Sequence, residues 1–205
     1  KKKKKGGATY AGKGEFKKGS STIIFAKSGT QTFNFKAAQD FENITINAGS
    51  TVSLKGFGLG SGNPVDCFGN LVVNGALTDS GNSSIMKIKA AGKTHDFSGD
   101  MTGLFQLIVD NAGSTNLPAL NTPRLKLSST STAVATGNHT ITAELEVNAG
   151  TTFNANGKTI TSKLVDMNGT GTLTLGAGSL VLNNVSGGLT SDSTSVLNAG
   201  PFFFF

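Results

Sequence analysis

TQTFNFKAAQDFENITINAGST (30–51) lies without a gap over THDFSGDMTGLFQLIVDNAGST (94–115), an offset of 64 residues. Phe33 falls on Phe97, Phe41 on Phe105 and Ile44 on Ile108, and the closing Asn-Ala-Gly-Ser-Thr is the same in both. Asn-Ala-Gly returns at 148–150 and 198–200. Nearer the C-terminus, GNHTITAELEVNAG (137–150) reappears as GKTITSKLVDMNG (157–169), about twenty residues on and with small slips. The longer offset is about three of the shorter spacings. Stacked coils produce that arithmetic: one coil of short strands cannot bury its apolar face, and successive coils cover each other. The expectation is an all-β chain forming a β-solenoid, parallel β-helix-like, with coils of roughly 20 residues and matched phenyl rings inside the tube.

The rest of the body agrees. STIIF (21–25), TVSL (51–54), NLVV (70–73), IMKIK (85–89), RLKL (124–127) and SLVL (179–182) alternate apolar with polar, as a strand with one buried face does. Pro64, Pro118, Pro123 and Pro201 stand outside these runs or at their edges. Asn and Gly close the runs and suit corners, where Asn can also stack in a hydrogen-bonded ladder. The alternative is a β-sandwich or jelly roll, whose strands carry no fixed sequence period. The reading divides the chain into a basic Gly/Lys-rich arm (1–20), a solenoid body (21–200) and an apolar tail (201–205).

Charge is unevenly placed. Residues 1–36 hold ten lysines against Glu15, a net +9, whereas residues 37–205 sum to −3. A basic tail on a near-neutral body points to a tether, with Lys1, Lys2, Lys3, Lys4 and Lys5 as its electrostatic contacts; nucleic acid is a partner only through this arm. Phe202, Phe203, Phe204 and Phe205 would be an exposed apolar patch on a monomer, and are expected to be assembly contacts. No run of 18 apolar residues predicts a membrane span, and KKKKKGGATY lacks the apolar stretch of a secretory signal.

Residues able to do chemistry are few. THDFSGD brings together His95, Asp96 and Asp100, yet an acid–base pair needs a second carboxylate on an adjacent coil. Glu144 and Glu146 alternate with Leu145 and Val147, and read as outer-face charges. His139 has neither an acidic nor a serine partner nearby, so no triad is expected. Asp66 reads as part of a loop, and the lone Cys67 as a small buried apolar residue, unable to form an internal disulfide or a Cys-rich metal site. GFGLGSG (56–62) lacks the Lys-Ser/Thr ending and the strand–helix setting of a phosphate loop. Calcium repeats and EF-hands are absent. One Tyr and no Trp leave little for sugar stacking. Asn43, Asn82, Asn138, Asn168 and Asn184 head Asn-x-Ser/Thr triplets at about the chance rate for this composition. No catalytic residue, metal ligand or cofactor is expected.

FENITINAGSTVSL (41–54), FGNLVVNG (68–75) and KTITSKLVDMNGTGTLTL (158–175) resemble the coils of large bacterial surface adhesins. They equally resemble repeats of bacteriophage virion proteins: tail fibres, spikes, head fibres and decoration proteins. The resemblance spans roughly residues 20–198 and is one of repeat texture. It implies a rigid, protease-resistant element on a surface. The expected function is that of a non-enzymatic structural protein of a virion, possessing host-surface adhesion if glycans are its partners. The alternatives are a bacterial cell-surface adhesin fragment, which would be extracellular, and a β-helix polysaccharide lyase or hydrolase. The expected partners are other copies of the chain or other virion or surface proteins.

Overall fold

Alternation of apolar and polar residues decides the local structure, and the computed structural model shows where each alternating run goes. It describes residues 10–11, 19–35, 37–56, 64–81, 83–183 and 188–199. The described residues form strands and turns with no helix, and their strand pairings are parallel. Parallel pairing excludes the sandwich and jelly roll, whose hairpins and Greek keys are antiparallel. The chain is a β-solenoid of about 8 turns with coils of about 21 residues.

Each coil visits three faces in one order. The first face runs through Gln39–Phe41, Pro64–Cys67, Ile85–Ile88 and Gln106–Asp110, and continues as 124–127, 144–147, 164–167 and Leu189–Ser191. The second begins with Thr22–Phe25, Asn43–Ile46 and Leu71–Val73, with Asp96 bridged to Val72. It resumes as Ser114–Leu117, Thr132–Ala135, Thr152–Asn154, Thr172–Thr174 and Val196–Asn198, the junction held by the Gly92 amide on the Ser114 carbonyl at 3.0 Å. The third stacks Tyr10–Ala11, Gly29–Phe35, Ser50–Gly56 and Ala76–Asp79, then 120–122, 139–141, 159–162 and Ser179–Leu182. From Leu120 onward the third face runs into the first as one long strand, with a register shift between Ile141 and Glu144. That shift is the physical form of the small slips in the sequence repeat.

Inward positions stack on inward positions. Leu107, Leu125, Leu145 and Val165 form one column, and Val109, Leu127, Val147 and Met167 another. All eight side chains are buried. Burying such a side chain contributes roughly 1.5–3 kcal/mol, so one core continues from coil to coil. At the N-terminal end Phe33 anchors a ring cluster, 5.4 Å from Phe35, 5.9 Å from Phe41 and 6.4 Å from Phe25 between centroids.

The match at 64 residues does not survive as a stacking rule. Phe33 lies on the third face, whereas Phe97 follows the second-face bridge at Asp96; both are buried, but on different columns. Phe41 stacks through Cys67 and Ile88 onto Val109, not onto Phe105. Phe105 itself stands half-buried at the corner before Gln106, with the Arg124 guanidinium 4.9 Å over its ring. Ile44 is on the second face and Ile108 on the first. The reason is that Asn-Ala-Gly builds two different corners. At 47–49 it joins the second face to the third, and at 111–113 and 148–150 it joins the first to the second. Coil length also varies, from Gln39 over Val65 to Leu107 over Leu125.

Tight corners demand glycine where coils meet most closely. A Cβ on Gly99 would stand 2.0 Å from the Gly75 carbonyl oxygen, and one on Gly75 would stand 2.2 Å from that of Ser50. Around Gly188 there is open space. Gly99→Ala is therefore expected to cost about 2 kcal/mol or more, and Gly188→Ala less than about 0.5 kcal/mol. Urea unfolding monitored by circular dichroism checks the pair; equal costs would show that corner clearance does not limit stacking.

Candidate functional site

His95, Asp96 and Asp100 are neighbours in sequence, but strand alternation sends them apart. His95 and Phe97 point inward with ring centroids 5.9 Å apart and planes 13° from parallel. The His95 Nδ1 accepts the Leu71 amide at 3.2 Å, and burial lowers its pKa to about 4. Asp96 points outward and accepts the Ser98 amide at 3.0 Å. Asp100 accepts the Thr102 amide at 2.8 Å and its hydroxyl at 2.7 Å, which together hold its carboxyl below the usual range. Each acid closes its own turn.

The remaining candidates fall into place by the same alternation. His139 is inward between Leu120 and Ile160, edge-on to Phe153 at 5.8 Å, and burial lowers it to about 4. Cys67 is also inward, its Sγ among the carbonyls of Glu42, Gly69 and Asn70 at 3.5–3.7 Å, and burial pushes its thiol up to about 11. It is a core residue, as its sequence context suggests. Asp66 lies on a strand and not in a loop: it is the outward residue of Pro64–Cys67, in register with Asp40 and Lys87. Burial raises the Asp66 carboxyl against the pull of Lys87 and Lys89. Among the described residues no group of three His, Cys, Asp or Glu is placed to hold a metal. Lys1 to Lys5, Phe202 to Phe205, Asn82, Asn184 and 57–62 of the glycine-rich stretch lie outside the described residues.

Two features were not assembled by reading along the chain. The first is a charged strip on the outer surface of the first face. Lys89 and Lys87 lie 2.7 and 3.4 Å from one Asp110 oxygen, and Lys126 lies 2.7 Å from Glu146 on the next coil. Burial would raise the Asp110 carboxyl, but hydrogen bonds from Lys89 and Ser129 and the Lys87 charge bring it down to about 2. Spacings of 20 or so residues between opposite charges were the available signal. Register alone turns them into neighbours.

The second is a set of asparagines that tie one coil to the next. Asn43 Oδ1 accepts the Asn70 amide at 2.8 Å, and Asn70 Oδ1 accepts the Thr94 amide at 3.1 Å. Asn138 Oδ1 accepts the Thr159 amide at 3.0 Å, and Asn168 Nδ2 donates to Asn148 Oδ1 at 3.2 Å. Three of the Asn-x-Ser/Thr residues thus hold corners together. Where the second face turns into the third, a shallow open trough of about 590 Å³ crosses successive coils. Gly75 and Gly99 floor it; Asn74, Ser98, Asp100 and Asn121 border it, with Ser98 donating to Asn74 at 2.9 Å.

Compared with known family models, curated proteins and solved structures, the chain matches none. The geometry therefore carries the functional reading by itself.

Both imidazoles are neutral in the folded chain, while the unfolded chain protonates them below 6.5. Unfolding takes up protons between pH 6.5 and about 4, so their contribution is intact above 6.5 and erodes as the pH falls through that window. Each histidine is expected to cost about 2 kcal/mol of stability by pH 5. His139→Leu, which continues the Leu120–Ile160 column, should remove about half of the histidine-linked loss between pH 7 and pH 5. Urea unfolding at the two pH values measures this; an unchanged loss would mean that His139 is not held neutral.

Proposed function

We propose that this chain is a structural element of a virion surface, a fibre, spike or capsid decoration, whose work is mechanical and not catalytic. The observation that carries the reading is the continuous apolar core, with inward columns passing from coil to coil without a break into separate domains. A rod of this kind transmits load along its axis, because every coil is hydrogen-bonded to the coils above and below. It also resists proteases, since a strand must leave two ladders before it fits a cleavage site. The inner surface is occupied by side chains, and the shifted groups His95, His139 and Cys67 are packed inside it.

A second reading, a bacterial cell-surface adhesin fragment, is favoured by the trough at the second corner. Its amide, hydroxyl and carboxylate groups are the kind that hydrogen-bond the hydroxyls of a surface glycan.

Antibodies raised against residues 21–198 are expected to decorate the outside of intact virions in immuno-electron microscopy. Label on cell envelopes alone would favour the adhesin reading, and label confined to the cell interior would sink both. In parallel, trypsin should leave the body intact under conditions that degrade a urea-unfolded sample, despite Lys87, Lys89, Arg124 and Lys126 on its surface.

A further inference from the structure

We infer that residues 93–104 form an acid-released segment: protonation of His95 frees this stretch from the coil below and opens the joint with the coil above. The joint is visible in the ladder. At this level Ile85–Ile88 pairs with Gln106–Asp110 on the first face, and the Gly92 amide reaches the Ser114 carbonyl at the next corner. Beyond that corner the second and third faces are interrupted. Ser114–Leu117 begins a sheet of its own, and 120–122 pairs with 139–141 on its upper side. Among the described residues no backbone hydrogen bond runs from 94–103 to the coil above.

The segment is therefore held from one side. Asp96 meets Val72 and Asp100 meets Ala76 as isolated bridges, not as strands. The Asp96, Gly99 and Asp100 amides donate to the Leu71, Val73 and Gly75 carbonyls at 3.1, 2.7 and 2.8 Å. His95 lies within this seam. Only 7% of it is exposed, its Nδ1 accepts the Leu71 amide, and its Nε2 is buried without a partner.

Protonation strikes the seam at that point. Nδ1 then carries a proton toward the Leu71 N–H, so an acceptor becomes a donor opposite a donor. Nothing nearby holds the new charge. On the same stretch Asp96 turns outward onto the Ser98 amide, and Lys93 has the same sign as the imidazolium. Leu71–Val73 below and Ser114–Leu117 above carry no titratable side chain, and Lys87 of Ile85–Ile88 faces out to Asp110. Cys67, one coil down, keeps its proton throughout the acid range. The stacked face of Phe97 is left, a weak substitute for water. Burial is the cause that lowers His95 from 6.5 to about 4. The open form thus takes up the proton first, and opening gains as the pH falls from 6.5 toward 4. Ser98, Gly99 and Asp100 wall the trough, so releasing the segment also takes the trough apart. The inference concerns this coil's response to acid and is independent of surface display.

The test is hydrogen–deuterium exchange of the full chain, read by mass spectrometry and corrected for the intrinsic pH dependence of exchange. Between pH 7 and pH 5 the opening of peptides within 93–104 should rise about twentyfold, as the two His95 pKa values require. Gln106–Asp110 and 124–127 should stay protected. His139→Leu should leave the response of 93–104 unchanged. His95→Gln offers the Leu71 amide an oxygen that does not titrate, and should exchange in this segment equally at both pH values. The inference is overturned if 93–104 shows no gain in acid, if Gln106–Asp110 opens in the same proportion, or if His139→Leu abolishes the gain. A folded His95→Gln chain that keeps the twentyfold response overturns it as well; should that variant not fold, the wild-type and His139→Leu measurements decide alone.

Discussion

The structure depends on parallel strands lying in register, so that each inward side chain lands on another of its kind one coil away. Strands paired in a sheet are about 4.8 Å apart, close enough for Leu107, Leu125, Leu145 and Val165 to exclude water from one another. A slip of one residue would turn a whole column outward, because side chains alternate faces along a strand. The apolar columns therefore fix the register, and the register fixes everything placed outside it. This is why the bulge between Ile141 and Glu144 is absorbed at a corner, where no inward residue is displaced.

Outside the core, the same register converts distant residues into partners. Lys89 and Asp110, or Lys126 and Glu146, meet because their strands are adjacent, although 20 or so residues separate them in the chain. Exposed pairs of this sort contribute little, typically below about 1 kcal/mol. They do not choose the register, since a two-residue shift would still set Arg124 or Lys126 against Glu144 or Glu146. Like charges also meet, Asp40 beside Asp66 and Glu146 beside Asp166, and at the first of these burial leaves the Asp66 carboxyl easier to protonate. At the corners asparagine replaces charge, its amide bridging successive coils where the backbone ladder turns away.

Several of the titratable groups among the described residues take part in building the body. The histidines and the cysteine serve as packing residues, the acids of THDFSGD close turns, and Lys87 and Lys89 pair with Asp110 and Lys126 with Glu146 along the first face. Among the described residues a shallow polar trough lies open along one corner.

The sequence by itself determined that the chain is all-β, that its strands are short and half-buried, and that its coils are about twenty residues long. Alternation and corner residues are local properties, and they are legible because each strand carries its own inside and outside. The fates of Cys67, Glu144 and Glu146 followed from the same pattern. Only the tertiary structure decided which residues stack. The match at 64 residues misassigned Phe33, Phe97 and Phe105 because two corners of each coil accept the same Asn-Ala-Gly, so the tripeptide marks a bend without saying which bend. The ion pairs, the asparagine bridges and the trough were hidden for the same reason. They arise from the ladder between coils of unequal length, whose register is fixed by inward columns that exist only once the coils are stacked.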